Sequence, residues 1–296
     1  MKRFISTYAS ELKEMTSSEL KQAILASDGR VLLGETVVTS TPLVSGVTNA
    51  EVMASFSADM LLLNEYDVFT QYICEFDMKD PIAELKRLTG RVIGINLEPV
   101  DVTAKLMENQ IQLSKGRTVS EESLREANRQ DIDFICLTGN PATGVSNASI
   151  EASIKLAREH YKGLIFAGKM HSAGVNEPVV SEESLLRFIE LGADGVLIPT
   201  PGTAPGIDEL MLKPIIEKLK SKGAIVMGTV GTSQESADVE TIKHFALTNK
   251  RLGVDIHHLG DGSYGRLPEP ENLLAMSIAM RGKRHTYFRM CQSVNR

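Results

Sequence analysis

Eight short apolar runs recur along the 296-residue chain. They are RVLLGETVV from Arg30, DMLLLN from Asp59, RVIGINLEP from Arg91, DFICLTGN from Asp133, GLIFAGKMH from Gly163, DGVLIPTPG from Asp194, AIVMGTVG from Ala224 and VDIHHLGDG from Val254. Most are rich in Val, Ile and Leu throughout, the pattern of strands covered on both faces. Between them lie helical patterns such as SIEASIKLAREHY, SEESLLRFIELG and DELMLKPIIEKLKSK. Strands alternating with helices imply parallel βαβ units. Eight units fill the chain, so the expected fold is α/β: a single (β/α)8 TIM barrel over residues 1–296. An open doubly wound sheet is the rival. TSSELKQAILASDG predicts an extra helix before the first strand, making residues 1–28 an N-terminal helical extension. Residues 281–296 are basic and carry no acid. They read as a solvated C-terminal tail, with a subunit or anion contact as the alternative.

One echo supports repeated units. SEESLREANRQDIDFICLTG begins at Ser120 and SEESLLRFIELGADGVLIPT at Ser181. Each Ser is placed to cap a helix with two Glu in its first turn, and Asp133 and Asp194 follow at the same distance. Duplication and convergent capping both produce this pattern.

Composition narrows the class. The chain is 42% hydrophobic and 24% charged, with a formal net charge of -6. That suits a soluble globular protein and disfavours nucleic-acid binding. No apolar run approaches the ~18 residues of a membrane span, and the N-terminus lacks the apolar stretch of a signal peptide. Cys74, Cys136 and Cys291 form neither a disulfide framework nor a zinc pattern, and a cytoplasmic setting is expected.

In a barrel, chemistry sits at the C-terminal ends of the strands. Those ends carry Glu35, Asn64, Asn96, Glu98, Thr138, Lys169, His171, Thr200, His257, His258 and Asp261. Charge inside apolar runs needs a partner or a ligand, which singles out Glu35, Glu98 and Lys169. Lys169, Glu98 and His257 are the expected acid, base or electrostatic groups. Glu35, Asn64, Asn96, Thr138, His171, Thr200 and Asp261 are the expected substrate contacts. Side chains alternate along a strand, so only one of the adjacent histidines faces the axis. His257 is expected inward, with His258 outward beside Val254 and Ile256. This separation and the lack of an H-E-x-x-H motif argue against a transition-metal site. No resident metal is expected, apart from a magnesium ion reached through Glu98, Glu35 and substrate oxygens. Gly228, Thr229, Gly231, Thr232 and Ser233 follow or end the seventh run, and Gly260 and Gly262 the eighth. They read as a phosphate cradle, because glycine lets backbone N–H groups approach an oxyanion. Plain tight turns are the competing reading.

ADMLLLNEYD, RVIGINLEPVD, LGADGVLIPTPGT and AIVMGTVGT resemble the BtpA-like (β/α)8 proteins near the ribulose-phosphate-binding barrels. The resemblance runs from about Gly29 to Gly265 and implies a barrel and a phosphate site, but no reaction. A more distant resemblance is to phosphoenolpyruvate mutase and isocitrate lyase barrels. FAGKMHSAG has a Lys but not the Cys of their catalytic loop, so their catalytic residues are not carried over.

The expected function is an enzyme of lyase, aldolase or isomerase type. Its substrate is a small phosphorylated or carboxylated metabolite at the C-terminal face. No nucleotide cofactor is expected, since there is neither a dinucleotide fingerprint nor a P-loop. The alternative is a non-catalytic metabolite-binding or assembly protein that keeps the barrel. Its basic end and Met276, Met280 and Met290 would then serve protein contacts, including those of a homo-oligomer.

Overall fold

The computed structural model describes residues 2–101, 103–104 and 109–296. Two short helices lead, α1 (Ala9–Lys13) and α2 (Ser17–Leu25). The eight strands are β1 (Val31–Val37), β2 (Met60–Asn64), β3 (Val92–Asn96), β4 (Phe134–Leu137), β5 (Leu164–Gly168), β6 (Gly195–Pro199), β7 (Ile225–Val230) and β8 (Ile256–Leu259). Helices α3 (Asn49–Ser55), α4 (Pro81–Thr89), α5 (Glu121–Arg129), α6 (Asn147–His160), α7 (Glu182–Glu190), α8 (Glu209–Ser221), α9 (Val239–Leu252) and α10 (Pro270–Cys291) follow the strands in turn. The strands pair in sequence order, all parallel, and β8 closes onto β1. This is the (β/α)8 barrel with its extra N-terminal helix. The two echoed serines are both caps: Ser120 accepts from Ser123 N–H and Ser181 from Ser184 N–H.

Alternation divides every strand into two sets. Val31, Leu33, Met60, Leu62, Phe134, Cys136, Phe166, Leu197, Met227 and Ile256 fill the barrel interior, which Phe4, Leu20 and Ile24 plug from below. Leu32, Leu61, Leu63, Ile93, Ile165, Val196, Val226 and Leu259 pack outward against the helices. The interior is tight enough that a Cβ on Gly94 would overlap the Phe134 ring. That ring meets Phe166 edge-on, with centroids 5.8 Å apart.

The foot of the barrel repeats one device four times. The residues just before the even strands are Asp59, Asp133, Asp194 and Asp255. Each carboxylate accepts from a backbone N–H of the preceding strand, at Leu32, Ile93, Ile165 and Val226 respectively. Each also meets a cation: Arg281 and Arg289, Lys86, Lys21 and Arg158, and Lys220. The echo at Ser120 and Ser181 is thus two quarters of a four-part pattern.

The C-terminal segment corrects an expectation. Residues 281–296 are not a solvated tail. Helix α10 breaks at Gly282, whose φ of 74° and ψ of 165° are non-helical, and resumes with Thr286 and Arg289 buried. Arg289 Nη2 donates to Phe4 O (2.8 Å), and its Nε lies 2.7 Å from Asp59. Arg281 donates to Asp59 and to Ser57 O. Arg91 joins them, donating to Ala58 O and Arg289 O. Its pKa is pushed down to about 9 by burial, then by the neighbouring Arg289 charge. Arg281 and Arg289 of this segment serve the foot, while Lys283, Arg284 and Arg296 are exposed.

Candidate functional site

On β1, β2, β3, β4 and β8 the inward set ends in a polar residue at the mouth. Glu35 continues Val31 and Leu33, Asn64 continues Met60 and Leu62, Asn96 continues Val92 and Gly94, and Thr138 continues Phe134 and Cys136. His258 continues Ile256. Glu35, Asn64, Asn96 and Thr138 line a cavity of about 530 Å³ together with Asn140, His171, Gly231, Thr232, Glu235, Asp261, Gly262 and Arg266.

A hydrogen-bond chain fixes its floor. His258 Nε2 lies 2.8 Å from Glu35 Oε2. Asn96 Nδ2 donates to Glu35 Oε1 (2.7 Å) and to Asn64 Oδ1 (3.0 Å). Asn64 Nδ2 donates to Asp261 Oδ2 (2.7 Å) and to Asn140 Oδ1 (2.9 Å). Asn140 donates its side chain and its backbone N–H to Glu98, which also receives Arg117. Glu35, Glu98 and the ionised form of Asp261 stand at the ends of this chain as acceptors, which orients the amides between them. Burial, then the Glu35 charge, pushes the Asp261 carboxyl up to about 7, against a partial lowering by Asn64.

The loops after β7 and β8 form the side wall. Glu235 is buried, and burial raises its pKa. Its Oε1 lies against Gly262, where a Cβ would overlap it. Asn272 in the first turn of α10 holds this loop through Glu235 O and Ala237 O. Arg266 is exposed at the rim, and its carbonyl accepts from Thr36 Oγ1 and Val37 N–H.

Several expected residues lie elsewhere. His257 faces outward opposite Leu32, and its Nε2–H meets Gly29 O (3.0 Å). Burial lowers its pKa to about 4. His258 is the inward member instead. The sequence reading placed the shared face of His258, Ile256 and Val254 outside, whereas Ile256 belongs to the barrel interior. Lys169 also has outward parity, after Ile165 and Ala167, and its Nζ is 2.7 Å from Glu177. That carboxylate in turn caps α6 at Asn147 N–H. Lys169 is therefore a buried ion pair of the helix layer and not a pocket base. Thr200 points outward to Asn249 of α9 (3.1 Å). Glu98 lies behind the pocket and acts through Asn140. Glu98 and Glu35 are held by separate partners, and among the described residues no three His, Cys, Asp or Glu side chains group to hold a metal.

The expected phosphate cradle is only partly assembled. Gly231, Thr232 and Gly262 line the cavity. Gly228 instead packs against Asn249, and Gly260 lies against Val230 O. Thr229 donates to Ile198 O (3.0 Å) inside the barrel. The Thr232 hydroxyl sits 2.6 Å from Thr203 O and 2.7 Å from Gln234 Oε1. Sequence reasoning missed Glu235 and Arg266 as site residues and turned His258 outward.

The fold and cavity together define a class, a (β/α)8 barrel with a polar, acid-bearing pocket at its C-terminal mouth. Within that class the chain belongs to the family described as Domain of unknown function (DUF7916), whose model matches residues 5–296. No curated protein matches the sequence. Among solved structures the chain is similar to a protein of Burkholderia cenocepacia J2315 provisionally assigned as a lyase/mutase, with 17% identity and a TM-score of 0.52 over 84% of this chain and 83% of that one. It is also similar to 2,3-dimethylmalate lyase, a PEP mutase/isocitrate lyase superfamily member, with 13% identity and a TM-score of 0.51 over 86% and 81%. The carboxyl transferase domain of Rhizobium etli pyruvate carboxylase gives 13% identity and a TM-score of 0.53 over 96% of this chain and 53% of that one. At these identities the likeness is one of fold. No helix among the described residues is long and apolar enough to cross a membrane.

Proposed function

We propose that this protein is an enzyme of lyase or isomerase type that moves a proton on a small carboxylated or phosphorylated metabolite at the barrel mouth. The observation that carries this reading is Asp261, a pocket-lining carboxyl raised to about 7 and held by Asn64. A group titrating near the working pH both accepts and returns a proton readily. In this reading Asp261 is the general acid and base. Glu35, His258, Asn96 and Asn64 fix its direction, and Arg266 at the rim receives the substrate's anionic group. The phosphate expectation of a BtpA-like barrel then rests on Arg266 and not on Gly262. The named chemistry of the similar barrels is compatible with this reading.

The test is proton exchange. The protein is incubated in D₂O with a panel of small hydroxy acids, keto acids and sugar phosphates, and deuterium at carbon is followed by NMR. Exchange or turnover should rise as pH passes 7. Asp261→Asn should lower it about 10²-fold or more. If no panel member exchanges or turns over, or Asp261→Asn leaves the rate intact, the reading fails and the non-catalytic binder stands.

A further inference from the structure

The floor and side wall of the cavity carry buried polar atoms with no hydrogen-bond partner among the described residues. They are Asn96 Oδ1, Thr138 Oγ1 and Glu235 Oε2, on residues that are 5%, 4% and 1% exposed. Their chemistry is readable. Asn96 must turn its Nδ2 toward Glu35 and Asn64, because both offer oxygen. Its Oδ1 is therefore a bare acceptor. Glu235 Oε1 lies against the Gly262 backbone, and Oε2 is left without a partner. Asp261 adds a third carboxyl group beside Glu35. Thr138 differs from the other buried threonines of this region. Thr36, Thr203 and Thr229 each donate to a backbone carbonyl, at Arg266, Thr200 and Ile198.

A buried acceptor left unmet costs stability, which a ligand donor recovers. An oxyanion suits only the Thr138 hydroxyl, which can donate to it; at Asn96 Oδ1 and at an ionised Glu235 Oε2 it brings acceptor to acceptor. Hydroxyl groups suit all three. We infer that the ligand of this mouth is a polyhydroxylated acid whose hydroxyls point to Asn96, Thr138 and Glu235, while its carboxylate or phosphate stays at the Arg266 rim. This rests on the reading of the mouth as the working site and deepens it by naming the substrate class. It also reverses the orientation expected from the glycine loops, which placed the anion between β7 and β8.

Matched pairs test it. The full-length protein is titrated by calorimetry with glycerate against propionate, and with glycerol phosphate against propyl phosphate. Inorganic phosphate and β-alanine serve as the simple anion and the amine. Each hydroxylated member should bind about tenfold tighter or better than its deoxy partner. That ratio should shrink several-fold in Thr138→Val and in Glu235→Gln, two near-isosteric changes. Equal affinity within the pairs overturns the inference. So does tightest binding by inorganic phosphate or β-alanine, or failure of every hydroxylated member to bind. The outcomes separate from those of the proton-exchange test. A hydroxyl preference without exchange ends the enzyme reading and keeps this one, and exchange without a hydroxyl preference does the reverse.

Discussion

At the foot of the barrel Asp59 is fully buried, and its carboxylate is met by Arg281, Arg289 and the Leu32 N–H. At the mouth Glu235 is buried and Asp261 half-buried at the cavity, yet no cation pairs with either among the described salt bridges. Both ends bury carboxylates at the ends of the same strands. The foot matches charge with charge and carbonyl with N–H, so its acids serve the fold. The mouth leaves acceptors open and lets its acids rise toward neutrality, which costs stability and suits a ligand. In (β/α)8 barrels stability and chemistry divide between the two faces in this way. Here the division lies in charge pairing, since Asp59 Oδ1, Arg289 Nε and Ser57 Oγ at the foot also lack hydrogen-bond partners while Asp59 keeps its two arginines.

The largest expected effect is at the foot. Asp59→Ala leaves Arg281 and Arg289 buried without their counter-charge. Breaking one side of a buried pair costs about 3–5 kcal/mol. Denaturant unfolding should show a loss of that size, or no folded protein at all. A loss under about 1 kcal/mol would mean that the arginines are satisfied by carbonyls alone, and the contrast between the ends would weaken.

His257 belongs to the foot side of the comparison and gives a pH test. Its folded pKa is about 4, below the ordinary 6.5. Folding therefore keeps it neutral. Its contribution to stability is complete above pH 6.5 and is lost as pH falls from there toward 4. The shift corresponds to about 3 kcal/mol. His257→Gln can still donate to Gly29 O but cannot be protonated. Wild type should lose about 3 kcal/mol relative to this variant between pH 7 and pH 4. Parallel stability curves would show that His257 is not held neutral.

Asp261 should behave in the opposite sense. Its folded pKa of about 7 lies above the ordinary 3.8. The folded state favours the proton, so stability is highest below pH 3.8 and is lost as pH rises through 7. The carboxyl faces the open cavity, so about 2 kcal/mol is expected and not the full 4 that the shift implies. Asp261→Asn should therefore be more stable than wild type at pH 8 and indistinguishable at pH 4, while proton exchange is lost. Destabilisation at pH 8 would place Asp261 with the structural acids of the foot.

The foot was the more legible end, although its regularity was only half seen. Asp133 and Asp194 stood out in the SEES echo, while Asp59 and Asp255 did not, because the helices before them lack that sequence. Yet these four aspartates also set the parity of the even strands. Counting from each one, the first, third and fifth residues face inward. For Asp59 these are Met60, Leu62 and Asn64, and for Asp133 they are Phe134, Cys136 and Thr138. From Asp255 the third is His258, which corrects His257, and from Asp194 the sixth is Thr200, which falls outside. Periodicity without this anchor could not decide, since both faces of a barrel strand are apolar. Glu35, Asn64, Asn96, Thr138, His171 and Asp261 were legible as polar strand ends at the cavity. Glu235 and Arg266 were not. They sit on irregular loops whose fold depends on Asn272 and on the β1 backbone, contacts with no local signature.

The smallest effect tests the mouth most directly. Thr138→Val replaces a hydroxyl with a methyl of nearly the same volume on a wall that is 4% exposed. If the hydroxyl has no partner in the free protein, its removal relieves a desolvation cost and leaves the packing unchanged. The variant should be as stable as wild type or more so, by up to about 1 kcal/mol. The same change at Thr229, whose hydroxyl donates to Ile198 O, removes a satisfied bond and should cost about 1 kcal/mol. The two threonines lie on opposite sides of one interior, so the signs of the two changes form an internal control. Opposite signs mean that the mouth holds a polar group in reserve for a ligand. If both variants lose stability alike, Thr138 is already satisfied within the fold, and the floor is as closed as the foot.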